Sequence, residues 1–143
     1  MPDLFPRTTV GGVSVSRLIA GTNWFLGYSH TSAAKDRFIK NYQTRDSIAD
    51  ILEVFLSYGV DTVMGPQNQM LIDGIQEAQQ RTGRKVILVL TPWFNILPDG
   101  PEELDPQRVF DLCMRMGATF CMPHQGMTDA LLDRMHRKLR DMD

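Results

Sequence analysis

The sequence predicts a mixed α/β fold: four strand-then-helix units after an amino-terminal β-hairpin, the content of half a (β/α)8 barrel. Three observations predict it. Apolar runs of strand length alternate with segments whose apolar residues recur at helical spacings of three and four. The joint between helix and strand repeats, Tyr58-Gly59-Val60-Asp61-Thr62-Val63 being echoed by Met116-Gly117-Ala118-Thr119-Phe120-Cys121. The run Lys85-Val86-Ile87-Leu88-Val89-Leu90 is apolar on both faces, as a strand between neighbours in a parallel sheet requires. Alternating strands and helices imply parallel pairing through right-handed crossovers, which suits the barrel or, as the alternative, a small open flavodoxin-like sheet. A complete barrel takes about 250 residues, so a single domain over residues 1–143 supplies half of one.

The elements follow in order. Thr8 to Val10 and Val13 to Ser16 are β-prone runs around Gly11-Gly12, a pair able to supply the positive φ of a tight hairpin turn. Arg17 to Thr22 is the first strand of the parallel set. A long connection from Leu26 to Gln43 includes a short helix over Ala33 to Tyr42; loops of that length are uncommon without a function. The next helix runs from Arg45 to Tyr58, with Thr44 as cap, Gly59 as stop, and Ile48, Ile51, Leu52 and Phe55 inward. Val60 to Met64 is the second strand. A helix capped at Asn68 and ended by Gly83 turns Leu71, Ile72, Ile75 and Ala78 inward.

After the third strand, Lys85 to Leu90, a loop containing Pro98, Gly100 and Pro101 spans Asn95 to Leu104. Asp105-Pro106 then gives a capping residue and a proline in the first helical turn. That helix ends at Gly117 and leads to the fourth strand, Ala118 to Met122. The last helix, capped near Thr128, is expected to place Leu131, Leu132, Met135 and Leu139 inward.

Fifteen Lys plus Arg against 17 Asp plus Glu leave a net charge of -2, so no positive field gathers nucleic acid phosphates. No apolar stretch approaches the roughly 20 residues that cross a bilayer, and the start lacks a signal-peptide apolar region, so no membrane is expected and the cytoplasm is the expected compartment. Two cysteines, Cys113 and Cys121, are too few for a disulfide framework and sit in apolar contexts.

Each strand of the parallel set ends in a polar or aromatic cluster: Asn23-Trp24-Phe25, Met64-Gly65-Pro66-Gln67-Asn68, Thr91-Pro92-Trp93-Phe94-Asn95 and Pro123-His124-Gln125-Gly126. Strand carboxyl ends are the ligand-binding face of both architectures. His124 is the candidate for proton transfer or metal ligation, since a neutral imidazole offers a donor and an acceptor near physiological pH. Asn23, Gln67 and Asn95 are candidates to orient a small-molecule substrate, Trp24 and Trp93 either to contact it or to cover the core, and His30 to close over it from the first loop. Asp61 is read either as a buried base or as the partner of a nearby cation. No metal-binding or phosphate-loop motif occurs, and the sequence assigns no cofactor.

The order of elements resembles the amino-terminal half of an aldo/keto reductase. The opening hairpin, Ser16-Arg17-Leu18-Ile19-Ala20-Gly21-Thr22, the aspartate in Gly59-Val60-Asp61-Thr62 and the histidine ending Thr119-Phe120-Cys121-Met122-Pro123-His124 all stand where that family has counterparts. The resemblance implies catalytic positions at Asp61 and His124. It also puts Pro66 where the family has its catalytic tyrosine, and Thr91 or Pro92 where it has its lysine. Without a phenol whose pKa a lysine lowers, there is no proton donor for carbonyl reduction. The expectation is therefore a divergent barrel protein that binds a small polar or carbonyl-containing molecule without intact reductase chemistry. The alternative is a non-catalytic half-barrel that self-associates, joins a second barrel half or binds a protein partner.

Overall fold

The computed structural model describes residues 4–94 and 105–140, apart from the side chains of residues 138–140. The hairpin consists of β1 (Arg7–Val10) and β2 (Val13–Ser16), antiparallel with Val10 opposite Val13. Gly11 and Gly12 have φ of 53° and 81°, the left-handed region that the tight turn demands. There follow β3 (Ile19–Gly21), α1 (Asn23–Leu26), α2 (Ala33–Tyr42), α3 (Arg45–Ser57), β4 (Thr62–Gly65), α4 (Gln69–Thr82), β5 (Ile87–Leu90), α5 (Pro106–Arg115), β6 (Phe120–Cys121) and α6 (Gln125–Arg140). The sheet of β3, β4, β5 and β6 is parallel throughout, its strands adjacent in chain order. Ile19 is level with Thr62 and Ile87, and Val89 with Phe120. The fold is thus α/β, a small hairpin beside a four-stranded parallel sheet with helices between the strands. The loop expected over 95–104 lies outside the described residues.

Local signals place the helices. Thr44 and Ser47 form a reciprocal capping box at the start of α3, and Asn68 Oδ1 accepts the Leu71 amide at the start of α4. Gly83 closes α4 at φ 65°, while Gly59 and Gly117 supply positive φ between helix and strand. One face of the sheet, with Ala20, Val63, Leu88 and Leu90, packs against Ile48, Leu52 and Leu56 of α3, Leu71, Ile72, Ile75 and Ala78 of α4, and Cys113 of α5. Gly74 lets α4 approach α3 closely, since a Cβ there would lie 2.6 Å from Ile48 Cγ2.

The opposite face, in register along Ile19, Gly21, Met64, Ile87, Val89 and Phe120, contributes nothing to that core cluster, and Ile19 is 42% exposed. The hairpin covers its lower part. Ser16 and Thr62 exchange backbone-to-hydroxyl hydrogen bonds, both 3.1 Å, Arg7 pairs with Asp61 at 2.8 Å, and the Gly11 turn approaches the Phe120 ring.

Two expectations for the last helix are corrected. It starts at Gln125, so Thr128 lies within its first turn, where its hydroxyl donates to the Gln125 carbonyl. Leu131, Leu132 and Met135 do not face the core and are 52%, 53% and 54% exposed, while the Leu139 side chain lies outside the described residues. The helical spacing is real, but among the described residues no strand lies beyond β6 for that stripe to cover. Among the described residues, too, no helix is long and apolar enough to cross a membrane.

Candidate functional site

A cavity of about 590 Å³ opens at the carboxyl ends of β3, β4 and β5, with walls from Gly21 to Trp24, Tyr28 and His30, Met64 to Pro66, Thr91 and His124. Most of its wall is apolar, with a few polar groups gathered from separate elements, the usual character of a small-molecule site.

The stretch between β3 and α2 builds one side. Gly27 ends α1 at φ 74°, and no side chain fits there because a Cβ would lie 2.5 Å from Lys40 Cγ and 2.8 Å from the Asp36 carbonyl oxygen. Ser29 then donates both its amide and its hydroxyl to Asp36 Oδ1. Those two hydrogen bonds, aided by Lys40, hold the Asp36 carboxyl below its ordinary pKa of 3.8. The turn so fixed carries His30 in the left-handed region, φ 56°, the one such non-glycine among the described residues. That conformation costs a side-chain-bearing residue roughly 1–2 kcal/mol. It brings His30 Nε2 to 3.0 Å from Asn23 Nδ2. An amide nitrogen can only donate, so Nε2 accepts and the neutral ring carries its proton on Nδ1.

His124 stands across the cavity. Its amide donates to the Pro92 carbonyl at 3.1 Å, and its Nδ1 accepts the Gly126 amide, also at 3.1 Å. With Nδ1 accepting, Nε2 carries the proton, so this ring offers a ligand a donor. Trp93 meets the His124 ring edge-on, centroids 4.8 Å apart, and leaves no room for a side chain at Gly126, where a Cβ would lie 2.8 Å from the indole. Thr91 is held beside the same cavity by its amide hydrogen bond to the Gly65 carbonyl, 2.9 Å.

Thr22 is 2% exposed, and its hydroxyl has no hydrogen-bond partner among the described residues. A buried hydroxyl left so costs about 1–3 kcal/mol. It packs against Gly65, where a Cβ would come within 2.1 Å of Oγ1.

Of the residues singled out in sequence, Asn23, Trp24, His30 and His124 meet at this cavity. Trp93 orients His124 without lining it. Gln67 turns away, its amide nitrogen donating to the Val109 carbonyl at 3.3 Å and to Cys113 Sγ at 3.2 Å, so it ties β4 to α5. Burial and the neighbouring Cys121 thiol push Cys113 up to about 11, so it is an inert protonated thiol near neutrality. Asp61 precedes β4 at the opposite end of the sheet, some 13 Å of strand from Gly65, and pairs with Arg7. It is the cation partner of the two roles read for it. Asn95 lies outside the described residues.

Sequence reasoning missed Thr22 and Tyr28, and placed Thr91 and Gly126 in the strand-end clusters without giving them a role. Thr22 and Thr91 each follow the last residue of a strand, a positional signal that was available. Tyr28 and Gly126 depend on a turn and on a tryptophan that spacing does not reveal. Among the described residues no three His, Cys, Asp or Glu side chains come together to hold a metal ion. Comparison with protein-family models, with curated proteins and with solved structures finds no match for this chain.

Proposed function

We propose that this chain is a divergent half-barrel protein, related to the aldo/keto reductases, that binds a small polar or carbonyl-containing molecule at the strand carboxyl face without their reductase chemistry. The observation that carries the reading is the convergence of His124 with the Asn23–His30 pair on one cavity at the strand ends. The strand order supports the barrel part. The four parallel strands run in chain order, and α3, α4 and α5 all contribute to the core on one face, as right-handed crossovers in constant order require, whereas an open doubly wound sheet reverses its order to cover both faces. The hairpin tied to the foot of β4 through Arg7 and Asp61 is consistent with a closed barrel floor.

Loss of reductase chemistry follows from what lines the wall. Pro66 and Thr91 occupy it where the resemblance would put tyrosine and lysine, and neither offers an acidic phenol or an amine. What remains is polarisation: His124 Nε2–H donating to a ligand oxygen, with the Asn23 amide orienting the ligand. Screening small carbonyl compounds and acids by thermal shift tests this. Ligands that stabilise the chain should lose that effect in His124→Ala and Asn23→Ala, and an unchanged effect in both variants would reject the site.

The half-exposed apolar stripe of α6 favours a second reading, a half-barrel that associates with another copy or a protein partner. It is compatible with the first, since the α6 stripe does not line the cavity.

A further inference from the structure

We infer that the ligand of this cavity carries a carboxylate on an apolar body. The inference rests on the ligand-binding reading above and names its ligand class. With Nδ1 of His124 engaged by Gly126 and Nε2 of His30 by Asn23, the free ring nitrogens, Nε2 of His124 and Nδ1 of His30, are both donors. The hydroxyls of Thr91 and Tyr28, which can donate as well as accept, can add to them, while the Asn23 carbonyl oxygen only accepts.

No carboxylate among the described residues lines the cavity. Asp36 is committed to Ser29, and Asp61 to Arg7 at the far end of the sheet. Among the described residues two cations stack on aromatic rings of the wall: Lys35 Nζ lies 4.8 Å from the Trp24 ring centroid and Lys40 Nζ 5.3 Å from that of Tyr28. Lys40 shares its charge with Asp36, which leaves Lys35 the freer of the two. An amine would meet these donors and cations unfavourably, whereas a group with several acceptor lone pairs and one negative charge matches them.

Carboxylate is favoured over phosphate because the wall supplies neutral donors from separate side chains and no glycine-rich run of backbone amides. The rest of the ligand is apolar, since Ile19, Met64, Pro66, Trp24 and Tyr28 give it hydrocarbon and ring surfaces to bury against.

The test titrates the full chain, followed by amide NMR, with matched probes: phenylacetate against phenylacetamide, hexanoate against hexanamide, phenethylamine, and inorganic phosphate. The acids are expected to shift the Asn23, His30 and Gly126 resonances and to bind about tenfold or more tighter than their amides. Lys35→Met should weaken the acids several-fold and leave the amides unchanged. Equal binding of acid and amide overturns the carboxylate assignment but keeps the ligand site, as does preferential binding of the amine or of phosphate. If none of the six probes shifts the cavity resonances, both the assignment and the underlying reading fall.

Discussion

Thr22 presents the sharpest conflict between burial and chemistry in this chain. Its hydroxyl is sealed against Gly65 and meets no partner among the described residues, although threonine oxygens at strand ends ordinarily find one. Where a polar group is retained at such a cost, replacing it by an apolar group of like shape removes the cost without opening a hole. Thr22→Val is therefore expected to stabilise the chain by about 1 kcal/mol in urea denaturation. Loss of stability would mean that the hydroxyl is satisfied in the native state. His30 makes the same trade in its backbone, since a left-handed histidine is retained only where its surroundings hold it. Neither conflict is legible in the sequence. Residue type marked His30 and Asn23 as candidates, but their 3.0 Å pairing depends on a turn fixed by Asp36.

At the scale of elements, that turn makes a pH-dependent prediction. Asp36 accepts two hydrogen bonds from Ser29 more strongly when ionised, which is why its folded pKa lies below 3.8. A depressed carboxylate pKa contributes stability that is present above the unfolded value and lost as pH falls through the folded one. The Ser29 amide resonance should accordingly titrate with a midpoint below pH 3.8, and Asp36→Asn should abolish that step. A midpoint at or above 3.8 would show that the turn is not held by the ionised carboxylate. The elements themselves were largely legible. Caps at Thr44 and Asn68, stops at Gly59, Gly83 and Gly117, and the hairpin glycines all act through local backbone geometry, which residue type encodes directly. The last helix was misread because its apolar spacing reports a face that tends to be covered, not what covers it. Gln67 was misread for a related reason: a polar residue after a strand is equally suited to a ligand or to the next helix, and here α5 claims it.

For the whole molecule, one-sided packing leaves much apolar surface without a protein partner. Ile19 is open on the sheet face, Leu131, Leu132 and Met135 are open on α6, and β3 and β6 are edge strands of a parallel sheet among the described residues. Parallel sheets ordinarily have both faces covered, and exposed edges invite pairing. Two copies related by a twofold axis would satisfy these surfaces at once, the β6 edge of each meeting the β3 edge of the other and the two open sheet faces enclosing one interior. The solution mass by light scattering should then be twice 16.3 kDa across a range of concentrations. Ile19→Glu should return the chain to a monomer that keeps its helical circular dichroism, because that side chain lies outside the core cluster on which the fold depends. A monomeric parent chain that stays soluble at high concentration would remove the self-association reading and leave the cavity, built wholly within one chain, as the functional feature.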